Sequence, residues 1–305
     1  MDILPLYSGR GLDTLSLDAY AYSWLEDGQE RFMEYPVLAG YFQGLMGTIA
    51  HATYPLVRAI SPGQVPEASW YFTLTALVMA AMWLVVIRYV VELAGRRVWD
   101  TMLVAASPLL IVHAFTNWDI PSILLAVGAM VAYLVLAARR RHWMPFVIMV
   151  NTAVGSWLAV NLPVLFAHPR AWSEFLRLNS ERGSEWTTIY QLFTRITGVE
   201  LGADFLNTVS FGLFATSCLA IAILGFFAPR TPRAPELIFL ILAAFLLFNK
   251  VWSPQYSLWL VIPAVLALPR WRLLLTWMTV EMLVWPATMI FMGGGIRKRD
   301  SSRAV

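Results

Sequence analysis

A chain of 305 residues that is 59% hydrophobic and only 13% charged departs from soluble domains, which run about 45–50% apolar and about 25% charged. Its apolar excess must face hydrocarbon, which excludes both a water-soluble globule and a disordered chain. The single cysteine, Cys218, excludes an internal disulfide framework and a thiolate metal cluster.

Taken in chain order, residues 1–69 are expected to form an outer-face loop, because most of this segment is too polar to span. Within it the stretch 36–50, "PVLAGYFQGLMGTIA", is apolar but short and glycine-rich. It reads as an interfacial or re-entrant helix. A span needs about 20 apolar residues, and candidates follow at 70–93, 98–116, 119–138 and 144–166. These make a first transmembrane group over 70–166. A second polar segment, 167–205, mixes Trp172, Phe175, Leu176 and Leu178 with charges, as a helix lying at an interface would. A second group, 206–292, holds candidates at 206–228, 234–249, 254–269 and 271–292, and residues 293–305 form a polar basic tail. The expected fold is all-α, a polytopic transmembrane helical bundle of about eight spans plus interfacial helices.

Arginines set the expected orientation. Arg96 and Arg97, Arg139 to Arg141, Arg230 and Arg233, and Arg270 and Arg272 fall in alternate short loops, while the other loops hold most of the acids. The positive-inside rule places the arginine loops in the cytoplasm and the acidic ones outside. The basic pI of about 9.1 is then a topology signal, and nucleic acid is not an expected partner. The N-terminus has no basic region followed by an apolar core, so no signal peptide is read there. Alternation of the spans calls for a helix before the first outer loop and another beyond the tail.

Polar residues at membrane depth raise a functional hypothesis by default, and four clusters stand on the expected outer face. The first holds Asp2, Arg10, Asp13, Glu34 and Tyr35. Glu34 also has a purely structural account, as an acid complementing a helix N-terminus ahead of Pro36. The second, "FTNWDIPS", holds Asn117, Asp119 and Ser122 between two spans, where Asp119 could equally cap the next helix. The third, "FNKVWSPQYSLWLVIP", crowds Asn249, Lys250, Ser253, Gln255 and Tyr256 together. Lys250 is one of two lysines among 22 Lys and Arg residues, on the side where positive charge is disfavoured. The fourth, "FLRLNSERGSEW", holds Asn179, Arg182 and Ser184, and a solvated amphipathic face is its bland alternative. No phosphate-binding loop, dinucleotide fingerprint or paired-histidine metal motif occurs, and His51, His113, His142 and His168 are scattered. No metal and no cofactor are expected.

The pieces "DILPLYSGRGLD", "EYPVL", "GRRVWD", "SPLLI…NWD", "NLPVLF…AWSEFLRLNSERGSEW" and "NKVWSPQYSLWLVIP", in that order, resemble the membrane glycosyltransferases of family 87. That family belongs to the C-type superfamily of polyprenyl-phosphate-sugar-dependent enzymes. The resemblance implies a C-type bundle in the plasma membrane with its active face extracytoplasmic. It implies mannosyl- or arabinosyl-type transfer from a polyprenyl-phosphate-sugar donor to a glycan or glycolipid acceptor. By family position Asp2 is the expected catalytic base, and Lys250, Arg182 and Tyr256 are the expected donor contacts. Glu34, Tyr35, Asn117, Asp119 and Gln255 are expected around donor and acceptor.

The chemistry of such a transfer agrees. One carboxylate suffices as general base for an inverting attack, and a phosphate leaving group needs cationic donors rather than a strong acid. Relative to the family the chain is expected to be a shortened member, lacking a helix before Asp2, a helix pair after Arg139–Arg141, and C-terminal helices. A non-catalytic paralogue that binds lipid or scaffolds a membrane partner is therefore the competing expectation. A transporter is disfavoured, because the polar clusters gather at one face rather than at mid-membrane.

Overall fold

The structure, a computed structural model, describes residues 19–26, 28–113, 127–268 and 270–303. Asp2, Asn117 and Asp119 lie outside the described residues. A short antiparallel hairpin, β1 (Trp24–Glu26) and β2 (Gln29–Arg31), pairs Trp24 with Arg31. Gly28, at φ 77, supplies the left-handed backbone its turn requires. All remaining elements are helical.

Helix α1 spans Val37–Ile60, 24 residues against the short stretch expected over 36–50. Contacts with α2 (Glu67–Ala94) carry it past Ala50. The His51 Nδ1 and Glu67 carboxylate lie 2.9 Å apart, the Trp70 indole donates to Thr53 Oγ1 (2.8 Å), and the Tyr54 hydroxyl donates to the Val65 carbonyl (2.9 Å). After α2 the chain forms a 3-10 segment, Gly95–Thr101, with Arg97 out of helical geometry. Then come α3 (Met102–Ala105) and α4 (Pro108–His113), so the described part of the span expected at 98–116 is broken rather than continuous.

Further along lie α5 (Val127–Arg140), α6 (Met144–Ala167), α7 (Pro169–Glu181) and α8 (Ile189–Thr197). They are followed by α9 (Ala203–Phe227), α10 (Ala234–Phe248), a 3-10 turn over Pro254–Ser257, and α11 (Leu258–Ala267). Helix α12 (Trp271–Arg303) continues through most of the segment expected as a tail.

Among the described residues, four helical stretches are long and apolar enough to cross a membrane: Glu67–Ala105, Met144–Ala167, Ala203–Phe227 and Trp271–Ile290. The first is interrupted at Arg97 (φ −95, ψ 35), so α2 is its spanning part. Only 6% of the α6 window and 11% of the α9 window are buried. Helices this apolar and this exposed require hydrocarbon as their solvent. The protein is therefore a predominantly helical membrane protein. Helices α10 and α11 are apolar but shorter, at 15 and 10 residues.

Among the described residues, three apolar cores hold the bundle. One joins α2, α3, α4, α11 and α12 around Met79, Leu109, Val261 and Met278. A second joins the hairpin region, α1, α2, α6 and α7 around Tyr20, Val37, Met46, Tyr71 and Val164. The third packs α5 against α9 and α10 through Val135, Ile221 and Ile241.

The arginine loops meet at one end of the bundle, and the hydrogen bonds say why. Helix C-termini leave carbonyls without donors, and cations are favourable there. Arg97 Nη2 donates to the Leu266 carbonyl (2.8 Å) and Arg233 Nη2 to that of Ala267 (2.6 Å), closing α11. Arg139 Nη1 donates to the carbonyls of Gly225 (3.3 Å), Phe226 and Ala228 (2.8 Å), closing α9. The residues read as topology signals are thus also helix caps. Arg139→Met is expected to destabilise the protein by about 1–3 kcal/mol, through orphaned carbonyls at the end of α9. Thermal unfolding in detergent measures this, and an unchanged melting temperature would refute the capping role.

Candidate functional site

Helix α9 ends and α10 begins at the arginine end, so the segment after α10 emerges at the opposite end of the bundle. There α10 stops at Asn249, whose backbone is extended (ψ 140), and the loop 249–253 leads to Pro254. Lys250 turns inward and is only 6% exposed. Its Nζ donates to the Arg182 carbonyl (2.7 Å) and more weakly to that of Ser180 (3.4 Å), at the C-terminus of α7. A cation at a helix C-terminus is electrostatically favoured.

The backbone of the loop is fastened to the segment after α7. Glu185 N–H donates to the Lys250 carbonyl (3.0 Å), and Trp252 N–H donates to the Glu185 carboxylate (3.1 Å). Arg182 pairs with the same carboxylate at 2.9 Å. Thr187 Oγ1 donates to the Trp252 carbonyl (3.0 Å), and the Tyr190 hydroxyl donates to that of Phe248 (2.7 Å). Helix α7 is itself anchored by buried Glu174, which receives two hydrogen bonds from Arg177 (2.7 and 3.0 Å) and has Arg31 at 3.7 Å.

Beside Lys250 lies a cavity of about 390 Å³ between α7, α9, α10 and the loop. Its polar side carries Asn179, Ser180, Asn207, Ser210 and Asn249, and its apolar wall is Phe211, Phe214 and Phe245. Asn207 Nδ2 also donates to the Ser180 carbonyl (2.9 Å). An ammonium has three protons. Two go to the α7 carbonyls, which leaves one for an occupant of the cavity. Burial, and the Arg182 guanidinium nearby, push the Lys250 amine below its ordinary 10.5, with Asp204 acting in the opposite direction. Amide, hydroxyl and ammonium donors above an aromatic wall suit an anionic head group with an apolar tail.

The sequence-predicted residues separate into groups. Lys250 lines the cavity, and Arg182 adjoins it through its carbonyl and its charge. Gln255 accepts from Ser253 Oγ (2.7 Å), and Tyr256 packs on Trp259 (5.1 Å), which stacks on Phe245 of the wall (6.4 Å). Those two stand behind the cavity rather than in it. Glu34 and Tyr35 precede α1, where the Tyr35 carbonyl accepts from the buried Tyr20 hydroxyl (2.6 Å), and neither lines the cavity.

Sequence reasoning missed Asn207 and Ser210, one helical turn apart inside an expected span. It also missed Glu281, a carboxylate ten residues into α12 that accepts from Ser257 Oγ (2.6 Å). A polar residue inside an apolar run was the available signal for all three. The amphipathic helix it placed over Trp172 to Leu178 is α7, which buries Ala171 and Glu174 and bonds Trp172 to Asn161 Oδ1 (3.0 Å). Among the described residues no cluster of three His, Cys, Asp or Glu is arranged to hold a metal. No protein-family model, curated protein or solved structure matches the chain.

Proposed function

We propose that the protein is an integral-membrane glycosyltransferase of the C-type. In this reading it moves a sugar, mannose being the leading choice, from a polyprenyl-phosphate donor to an envelope glycan or glycolipid acceptor. The reaction takes place at the outer face of the plasma membrane, and the bundle carries about eight spans with its arginine end in the cytoplasm. The observation that carries the reading is the cavity beside Lys250, with donors for a phosphate on one side and phenylalanines for an isoprenoid on the other.

Asp2 acts as general base and takes the proton of the acceptor hydroxyl as its oxygen attacks the anomeric carbon. The bond from that carbon to the phosphate oxygen breaks with inversion, and its electron pair leaves on the polyprenyl phosphate. Lys250, Asn179, Asn207 and Asn249 hold the phosphate as its charge grows. Arg182 contributes its field, and Tyr256 and Gln255 support the wall behind the cavity. Glu34, Tyr35, Asn117 and Asp119 orient the acceptor.

The test uses the full chain in vesicles with radiolabelled polyprenyl-phosphate mannose. Asp2→Asn is expected to keep donor binding and lower transfer about 100-fold or more. Transfer at the wild-type rate would remove Asp2 from catalysis. One observation favours the second reading, a non-catalytic paralogue that binds lipid phosphate or scaffolds a membrane partner: no carboxylate lines the cavity among the described residues. Wild-type protein that binds the donor and transfers nothing would select it.

A further inference from the structure

Helix α8 is capped at both ends. The Thr188 side chain accepts from Gln191 N–H at its start, and Gly198, at φ 73, closes its end. Its inward face is narrow and centres on Tyr190, 6% exposed and bonded to the Phe248 carbonyl. Its outward face carries Ile189, Leu192, Phe193 and Ile196, at spacings of three and four residues that make one stripe along a helix. These are 38%, 57%, 47% and 75% exposed.

Four large apolar side chains in one uncovered stripe need an apolar occupant. We propose that α8 lies in the bilayer leaflet at the end of the bundle opposite the arginine loops, with this stripe among the acyl chains just below the phospholipid head groups. Continuity is the first argument. After five linking residues the chain enters α9, whose first turn shows Phe205 (54% exposed) to the hydrocarbon. The α8 stripe therefore continues a lipid-facing surface at the end of a span.

Size is the second. Nine residues make a helix about 14 Å long and about 10 Å across. That is far below the roughly 800 Å² per partner a stable dimer needs. Exposed Arg195 on the last turn supplies the cation that interfacial helices place toward lipid phosphates. The consequence reaches the cavity: Tyr190 ties α8 to Phe248, two residues before Lys250, so the depth of α8 sets the position of the 249–253 loop.

This inference does not depend on the transfer reading, and its test uses no donor. In a Cys218→Ser background, Phe193→Cys and Ile196→Cys receive nitroxide labels in vesicles of phosphatidylcholine and phosphatidylglycerol. Collision with oxygen is compared with collision with a water-soluble nickel chelate. Glu200→Cys serves as the aqueous reference and Leu219→Cys on α9 as the hydrocarbon reference. Labels at 193 and 196 should show an oxygen-to-nickel ratio several-fold above that at 200 and approaching that at 219. A ratio equal to that at 200 overturns the proposal, because the stripe then faces water. Exclusion of both reagents also overturns it, because protein then covers the stripe. Leu192→Cys repeats the reading on the same face, should either variant fail to fold.

Discussion

Replacing Lys250 by Met should weaken binding of a polyprenyl-phosphate donor by about 10- to 100-fold, as expected for a lost hydrogen bond from a charged group. Met matches the length of the lysine's aliphatic stem and has no donor, so packing beside the cavity is largely kept while the ammonium is removed. Stability should change much less. The Ser180 carbonyl keeps its bond from Asn207 (2.9 Å), and only the Arg182 carbonyl loses a short one (2.7 Å). That orphaned carbonyl costs about 1 kcal/mol or somewhat more, and relief of a buried charge offsets part of it. Lys250→Arg should not restore affinity, because a planar fork cannot reproduce three tetrahedral donors on the same carbonyls.

The pH dependence separates the two roles of this residue. Burial and Arg182 hold the amine below its ordinary 10.5 in the folded protein. Donor affinity, which needs the ammonium, should therefore fall as pH rises through that lowered value, earlier than for an exposed lysine. The folding contribution has the opposite sign. With the folded pKa below the unfolded one, the contribution is complete above the unfolded value and is lost as pH falls through the folded one. Binding isotherms and melting curves from neutral to alkaline pH measure both. Wild-type affinity in Lys250→Met would remove the lysine from the donor site.

Gly40→Val should be strongly destabilising. A Cβ at this position would meet Cε2 and Cζ of Tyr20 at 2.8 Å. The ring cannot swing away cheaply, because it is 2% exposed, its hydroxyl holds the Tyr35 carbonyl, and its edge contacts Tyr41 at 5.5 Å. Overpacking of this kind costs about 1–3 kcal/mol, and loss of the Tyr20 hydrogen bond would add about 1 kcal/mol. The expected result is a lower melting temperature together with faster proteolysis over residues 19–35, the segment that Tyr20 fastens to α1. The double variant Gly40→Val with Tyr20→Ala should lose less than the sum of the single losses, since the smaller side chain makes room. Additive losses would mean that the two residues do not press on each other.

Much of the architecture was legible because lipid imposes a crude pattern. Long apolar runs gave α2, α6 and α9 nearly at their structural limits, and the start of α12, which runs eleven residues past the expected span. Helix α1 runs ten residues past the 36–50 stretch expected from the sequence, since residues 51–60 are polar enough to pass for a loop. Its continuation rests on contacts with residues 65–70 that no local pattern announces. The α8 stripe was within reach, with Ile189, Leu192, Phe193 and Ile196 at helical spacing, but neighbouring Trp172 and Leu176 drew the interfacial reading to α7. Lys250 stood out because a buried-looking lysine on the acidic side is costly. Asn207, Phe211 and Phe214, which share its cavity, did not, because they lie about 36 to 43 residues away along the chain, inside an apolar span.

By itself the sequence determined the solvent and the class of fold, because hydrophobicity summed over twenty residues exceeds any local ambiguity. It also determined that the arginines gather in alternate loops. Only the tertiary structure decided what those arginines hold, namely the open carbonyls of α9 and α11. It alone placed Lys250 on the end of α7 and Phe211, Phe214 and Phe245 on one wall. The physical reason is that hydrogen bonds and packing act over 3 to 4 Å. Which residues come that close depends on the register between helices, and register is a property of the assembled bundle.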